Sequence, residues 1–249
     1  MNAVPPRERY ARQLILPGWG DEAQERLARG RVLVVGAGGL GSPALTYLAA
    51  AGVGTMGIVD PDRVEISNLQ RQVIYTSADL GLLKCRAAAR RLKALNPGIA
   101  VGEHPLALTA ENADELISGY DVVVDCTDSL SVRFVINDAC LRLNRPWVHG
   151  AISEFYGQAT TFIPGRGPCL RCLYPEGDTP AALPRGVMGP VVGLIGTMQA
   201  GEVMKLLTGL GRPLAGRMLV WEALPARFTE FTLRRDPSCP ACGLISSMT

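Results

Sequence analysis

Four consecutive apolar residues at positions 32–35 run into Gly36-Ala37-Gly38-Gly39-Leu40-Gly41, and a helix-prone segment at 42–51 follows. A second apolar run ends at Asp60, nineteen residues beyond Gly41. The pattern predicts strand, glycine turn, helix and strand, with a carboxylate at the second strand's carboxyl end. Glycines suit such a turn because it needs positive φ and because a phosphate can approach bare backbone while the helix packs closely on the strand. Free amides at the start of the helix then face the anion, and Asp60 is placed to accept hydrogen bonds from ribose hydroxyls.

The same alternation continues down the chain. Before the glycine turn, residues 7–13 read as a short helix anchored by Leu14-Ile15-Leu16, and 21–29 as a helix with Asp21 at its N-cap. After it come a helix at 84–95, ended by Asn96-Pro97-Gly98, and a strand at 99–101. A helix at 109–118 capped by Thr109 and a buried strand at 121–125 follow. Val132, Val135, Ile136, Ala139 and Leu143 share one face of a helix at 131–143, which leads into a strand at 146–151. Beyond residue 154 the period shifts toward two, predicting antiparallel strands near 158–163, 217–223 and 227–233 around a long helix at 190–207. The expected fold is α/β: one domain over 1–249, made of a helical arm (1–30), a Rossmann-like, mostly parallel nucleotide-binding half (31–150) and a mixed-sheet half (151–249).

Composition narrows the function. Hydrophobic residues make up 47% and charged residues 19%, enough to bury a core, and a net charge of +2 without basic runs argues against nucleic acid as a partner. Neither a signal-type apolar segment nor a membrane-length run is present, so a cytoplasmic location is expected. In a reducing compartment the pairs Cys169/Cys172 and Cys239/Cys242, separated by 66 residues, suit a tetrahedral zinc ion better than disulfides. Four thiolates leave no open coordination position, so the metal would be structural. Cys85, Cys126 and Cys140 lack such spacing and are expected to be small buried residues.

Chemistry should lie beyond the strands' carboxyl ends. The polar stretch after Asp60 gathers Asp62, Asn68, Gln70 and Arg71 there. Lys84, in a first helical turn, sits unfavourably with the helix dipole and calls for a nearby anion, or else is a solvated lysine. Asp128 falls at the mouth of the sheet, as a ligand group or as a helix cap.

Taken together, RYARQ at 9–13, GAGGLG at 36–41, DPDRVEISNLQRQ at 60–72, Lys84, DCTD at 125–128 and the two CxxC pairs resemble the MoeB/ThiF family, bacterial relatives of ubiquitin-activating enzymes. The resemblance covers nearly the whole chain. It implies an adenylyltransferase that uses ATP and magnesium to adenylate the C-terminal glycine of a ubiquitin-like sulfur-carrier protein ending in Gly-Gly, releasing pyrophosphate. It also implies a homodimer. By the same resemblance Gly36, Gly38, Gly39, Gly41, Asp60, Asp62, Asn68 and Gln70 bind the nucleotide, Arg71 and Lys84 offset its charge, Asp128 holds magnesium, and Arg12 reaches in from the partner subunit. Cys169, Cys172, Cys239 and Cys242 hold the zinc.

Three departures modify that picture. The loop at 175–190, expected to act as a mobile flap, has no cysteine, and Ala182 stands about where many relatives carry one, so release of the acyl-adenylate is expected in place of thioester transfer. Ser129 replaces the family's usual asparagine. The chain ends seven residues after Cys242, so a separate protein is expected to donate sulfur.

Three rivals compete with this reading. A nicotinamide-dependent oxidoreductase would share the glycine loop and could use His149 as acid/base, although His149 is expected to be a packed structural histidine. A same-superfamily enzyme could adenylate a tRNA or peptide carboxylate, and a non-catalytic zinc-stapled module could merely bind a partner.

Overall fold

The computed structural model describes residues 7–174 and 186–243. Its centre is an eight-stranded sheet in the order β3-β2-β1-β4-β5-β6-β7-β8. The strands are β1 (Arg31–Val35), β2 (Thr55–Val59), β3 (Ala100–His104), β4 (Val122–Asp125), β5 (Trp147–Ser153), β6 (Tyr156–Phe162), β7 (Arg217–Glu222) and β8 (Arg227–Thr232). The first five pair in parallel, and β6, β7 and β8 extend the sheet antiparallel. Helices are α1 (Ala11–Leu14), α2 (Gly20–Arg29), α3 (Gly41–Ala51), α4 (Lys84–Leu95), α5 (Ala113–Ser118), α6 (Leu130–Arg142), α7 (Leu170–Leu173) and α8 (Gly189–Thr208).

The unbroken apolar run of β1 follows from burial on both faces. Val32 and Val34 join one core with Leu45, Leu48, Leu92 and Ile195, under α3, α4 and α8. Leu33 and Val35 join the other with Ile117, Ile136 and Trp147, under α5 and α6. Three layers result, and the helices' loops are left at the carboxyl ends of the parallel strands.

Local differences from the sequence pattern have simple causes. Helix α5 begins at Ala113 and not at Thr109, because the Asn112 side chain accepts a hydrogen bond from the Thr109 amide (2.9 Å) and folds 109–112 into a turn. Asp21 lies in the first turn of α2 instead of capping it, where its carboxylate still favours the dipole and pairs with Arg7 at 3.1 Å. Strand β3 runs on to the polar Glu103 and His104, as an edge strand can. The arm is a 3-10 turn (Arg7–Tyr10) followed by α1. No helix among the described residues is long and apolar enough to cross a membrane. The loop at 175–185, with Ala182, lies outside the described residues.

Candidate active site and cysteine cluster

The glycine turn leaves β1 where the carboxyl ends of β2 and β4 also meet. Gly36 has φ +95°, and a Cβ there would come within 2.6 Å of the Cys126 carbonyl oxygen, so the turn runs tightly against the end of β4. The Gly36 amide donates to the Val59 carbonyl (2.8 Å), and the Ala37 amide donates to Asp60 Oδ2 (2.7 Å). Asp60 Oδ1 accepts from the Asp62 amide (2.9 Å). Burial raises the Asp60 carboxyl above its usual range, against the pull of Lys84 and these two amides.

The other glycines of the turn differ in what they face. A Cβ on Gly39 would stand 2.7 Å from Val192 Cγ1 on α8 and 3.7 Å from Arg71 Cγ. One on Gly38 would meet only Gln72 Nε2, at an ordinary 3.6 Å, and Gly38 does not have positive φ. Nothing in the packing of the described residues therefore requires glycine at position 38. Beside it, Gln72 is 3% exposed and its Oε1 has no hydrogen-bond partner among the described residues. An orphaned buried acceptor next to bare backbone calls for a donor that the described residues do not supply. The open backbone fits a nucleotide phosphate lying over the turn, and the orphaned acceptor fits a donor on the same ligand, such as a hydroxyl.

The cationic groups frame this turn. Arg71 Nη1 donates to the Ser67 carbonyl (3.0 Å), and its stem lies near Gly39. Lys84 opens α4 and is buried, with Nζ 2.8 Å from Asp62 Oδ2, so Asp62 is the anion its position called for. Tyr75, not singled out from sequence, ties the two parts together: its hydroxyl donates to the Ala37 carbonyl (2.7 Å) and lies 3.3 Å from that of Lys84. Asn68 is committed to its own turn, its Oδ1 accepting from the Glu65 amide (3.2 Å), whereas Gln70 is exposed.

Arg12 is not brought to this group. Its neighbour Gln13 donates to the carbonyl of Ala51, the last residue of α3, while the glycine turn adjoins the first. An eleven-residue helix is ~16 Å long. Arg12 thus stands at the opposite end of the sheet from its own chain's glycine turn, exposed and without an ion pair among the described residues.

At the end of β4, the DCTD turn is built on a buried carboxylate. Asp125 Oδ1 accepts from the Thr127 amide (3.0 Å) and hydroxyl (2.8 Å). Its Oδ2 accepts from His149 Nδ1 (2.7 Å) and forms an ion pair with Arg133 Nε (3.2 Å). Burial opposes ionisation, but Arg133, His149 and Thr127 together hold the carboxyl below its usual range. Burial keeps the His149 imidazole below its usual value, hence neutral, which fixes the proton on Nδ1. His149 is therefore packed, as expected, and Asp125 is fully buried beneath its three hydrogen bonds and the Arg133 ion pair. Asp128, by contrast, is exposed and makes no hydrogen bond or ion pair among the described residues. Of the two carboxylates in DCTD, only Asp128 is free to bind something.

A second cluster lies away from the turn. The Sγ atoms of Cys169, Cys172, Cys239 and Cys242 all fall within 4.8 Å of one another. Cys169 and Cys239 are 3.6 Å apart, and Cys172 and Cys242 3.4 Å. A tetrahedral zinc with Zn–S of ~2.3 Å places its sulfurs ~3.8 Å apart, so the cluster has the right size for that ion.

A glycine turn, an acidic strand end and two cationic groups at one sheet edge define a nucleotide-binding α/β protein. The ThiF family profile matches residues 10–241, and the chain belongs to the ThiF family. It is 50% identical over 245 residues to a sulfur carrier protein adenylyltransferase of Thermus thermophilus, covering 95% of this chain and 90% of that one. It is 46% identical to the SAMP-activating enzyme E1 of Haloferax volcanii over 240 residues, 95% of this chain and 88% of the relative. Adenylyltransferase and sulfurtransferase MOCS3-2 of Zea mays is 47% identical over 97% of this chain, which spans about half (51%) of that protein. A crystal structure of E. coli MccB with ATP shares the fold, with TM-score 0.86 at 23% identity, over 94% of this chain and 74% of that one.

Proposed function

We infer that this protein is an adenylyltransferase that activates the C-terminal carboxylate of a ubiquitin-like sulfur-carrier protein with ATP. The names of its Thermus and Haloferax relatives support this reading. The observation that carries it is the pairing of an unobstructed Gly38 with the orphaned Gln72 acceptor, flanked by Arg71, Lys84 and the uncommitted Asp128.

In this reading the turn's amides receive the phosphates and Asp60 keeps lone pairs for the ribose hydroxyls. Arg71 and Lys84 supply fixed positive charge where two anions must meet, and Asn68 and Gln70 support the phosphates. Asp128 would hold magnesium, which when bound neutralises part of the triphosphate charge. A terminal carboxylate oxygen of the carrier attacks the α-phosphorus and the bond to pyrophosphate breaks, giving carrier acyl-adenylate and free pyrophosphate. The nucleophile is already ionised, so no general base is required. Without a cysteine in the loop at 175–190, the adenylate itself is the product passed on. The cysteine cluster takes zinc as a structural ion. His149 is tied to Asp125 and buried, which removes the acid/base group from the oxidoreductase reading.

Arg12 completes the site from a second copy, because its own turn is a helix length away. ATP–pyrophosphate exchange with a panel of glycine-ended carriers tests the reaction; activity with none of them refutes it. Mixing inactive Arg12→Ala with inactive Asp128→Ala should restore about a quarter of wild-type exchange, since half the dimers are mixed and each has one intact site. No recovery on mixing would refute the shared site.

A further inference from the structure

Asp128 is exposed, yet the turn beneath it is among the most heavily tied segments of the sheet edge. Besides the four contacts on the Asp125 carboxylate, the main-chain oxygen of Asp125 accepts from Gln199 Nε2 on α8 (2.6 Å). The carbonyl of Thr127, one residue before Asp128, accepts from Arg133 Nη2 (2.7 Å), which also lies 3.4 Å from the Gly150 carbonyl on β5. One guanidinium therefore links the Asp125 carboxylate, the backbone immediately before Asp128 and the neighbouring strand. His149 comes to Asp125 by strand register, the two being paired across β4 and β5.

We propose that Asp125, Arg133 and His149 form a buried electrostatic hub whose task is to hold the 127–128 backbone, so that Asp128 presents its carboxylate to the divalent cation accompanying ATP. Arg133 is the positioning residue of the hub. Its side chain is 14% exposed and touches neither the glycine turn nor the cysteine cluster among its hydrogen bonds and ion pairs. An apolar pair would fill the same space without desolvating charge. The ionic group costs desolvation, and what it adds is direction: a rigid plane whose Nη2 donates to the Thr127 carbonyl while its Nε faces the Asp125 carboxylate at 3.2 Å as an ion pair. Groups that orient a metal ligand typically change metal affinity ~10- to 100-fold when altered. Lysine at 133 keeps the charge but lacks the planar fork that fixes the Asp125 and Thr127 contacts relative to each other.

This inference rests on the adenylation reading and is tested beside it. Mn2+ binding is measured by electron paramagnetic resonance in the presence of the ATP analogue AMPCPP, with the Mg2+ dependence of pyrophosphate exchange as a second readout. Arg133→Lys is expected to weaken Mn2+ about tenfold and to raise half-saturating Mg2+ by the same factor, with exchange recovering at high Mg2+. Asp128→Ala should not recover. Thr127→Val, which removes the hydroxyl's contacts to Asp125 and to the Ser129 carbonyl, should give a smaller shift in the same direction and carries the test if Arg133→Lys unfolds. Mn2+ affinity and Mg2+ half-saturation at wild-type values in both variants overturn the hub. Wild-type protein that binds no Mn2+–nucleotide and exchanges no pyrophosphate overturns the adenylation reading instead, and the hub's purpose with it.

Discussion

Two alanine substitutions in the glycine turn should separate what the fold needs from what the ligand needs. At position 36 alanine must adopt φ +95° and place its methyl 2.6 Å from the Cys126 carbonyl oxygen and 2.9 Å from its carbon. The left-handed backbone costs ~1–2 kcal/mol and forced overpacking ~1–3, together about 2–5 kcal/mol. For a chain of this size that lowers Tm by roughly 5–15 °C. At position 38 the methyl meets only Gln72 Nε2, at 3.6 Å, and the backbone conformation is ordinary. Gly38→Ala should leave Tm unchanged or raise it slightly, because the unfolded chain loses freedom worth ~0.4–1 kcal/mol. A methyl pressed against a phosphate carries the same ~1–3 kcal/mol overpacking penalty, now in binding, so ATP affinity should fall about 10- to 100-fold. Differential scanning calorimetry gives Tm, and isothermal titration with ATP gives Kd. Wild-type ATP affinity in Gly38→Ala, or wild-type Tm in Gly36→Ala, would show that the turn's packing has been misread.

Other outcomes follow from the remaining contacts. Lys84→Met should lower pyrophosphate exchange ~10²-fold while far-UV circular dichroism stays native; exchange near wild type would remove Lys84 from the site. Elemental analysis should find one zinc per wild-type chain and none in Cys239→Ser, whose Tm should also fall, and a full zinc complement in that variant would refute the four-thiolate site. The folded-state value of His149 lies below its ordinary 6.5, so its contribution to stability is present above 6.5 and is lost as pH falls through the folded value. Urea unfolding from pH 7.5 to 5 should therefore show a decline that His149→Gln flattens, and an unaltered slope in that variant would contradict a neutral buried imidazole.

Much of this architecture is readable from the chain because parallel strands buried on both faces leave continuous apolar runs, as at 32–35 and 122–124. The cysteine cluster is readable from spacing alone, since the chelate geometry is local to each pair. What escaped are contacts made by register. Nothing near Asp125 in sequence announces that His149 will pair with it across a strand, or that Arg133, in the first turn of α6, folds back over the turn that starts it. Gln72 stands inside a stretch whose neighbours were assigned, yet only the path of the backbone shows that it, and not Gln70, meets Gly38. Position along the chain likewise could not reveal that Gln13 ties the arm carrying Arg12 to the distal end of α3.

The cysteine cluster has a topological consequence. Joining Cys172 to Cys239 and Cys242 through one ion closes the intervening chain, with α8, β7 and β8, into a ring. Opening a large ring frees far more conformations than fraying a terminus, and the ring cannot fully open while all four sulfurs stay bound. The endurance of this half of the molecule would then follow mass action, rising by about 1.4 kcal/mol for each tenfold increase in free zinc once the ion is well above its dissociation constant.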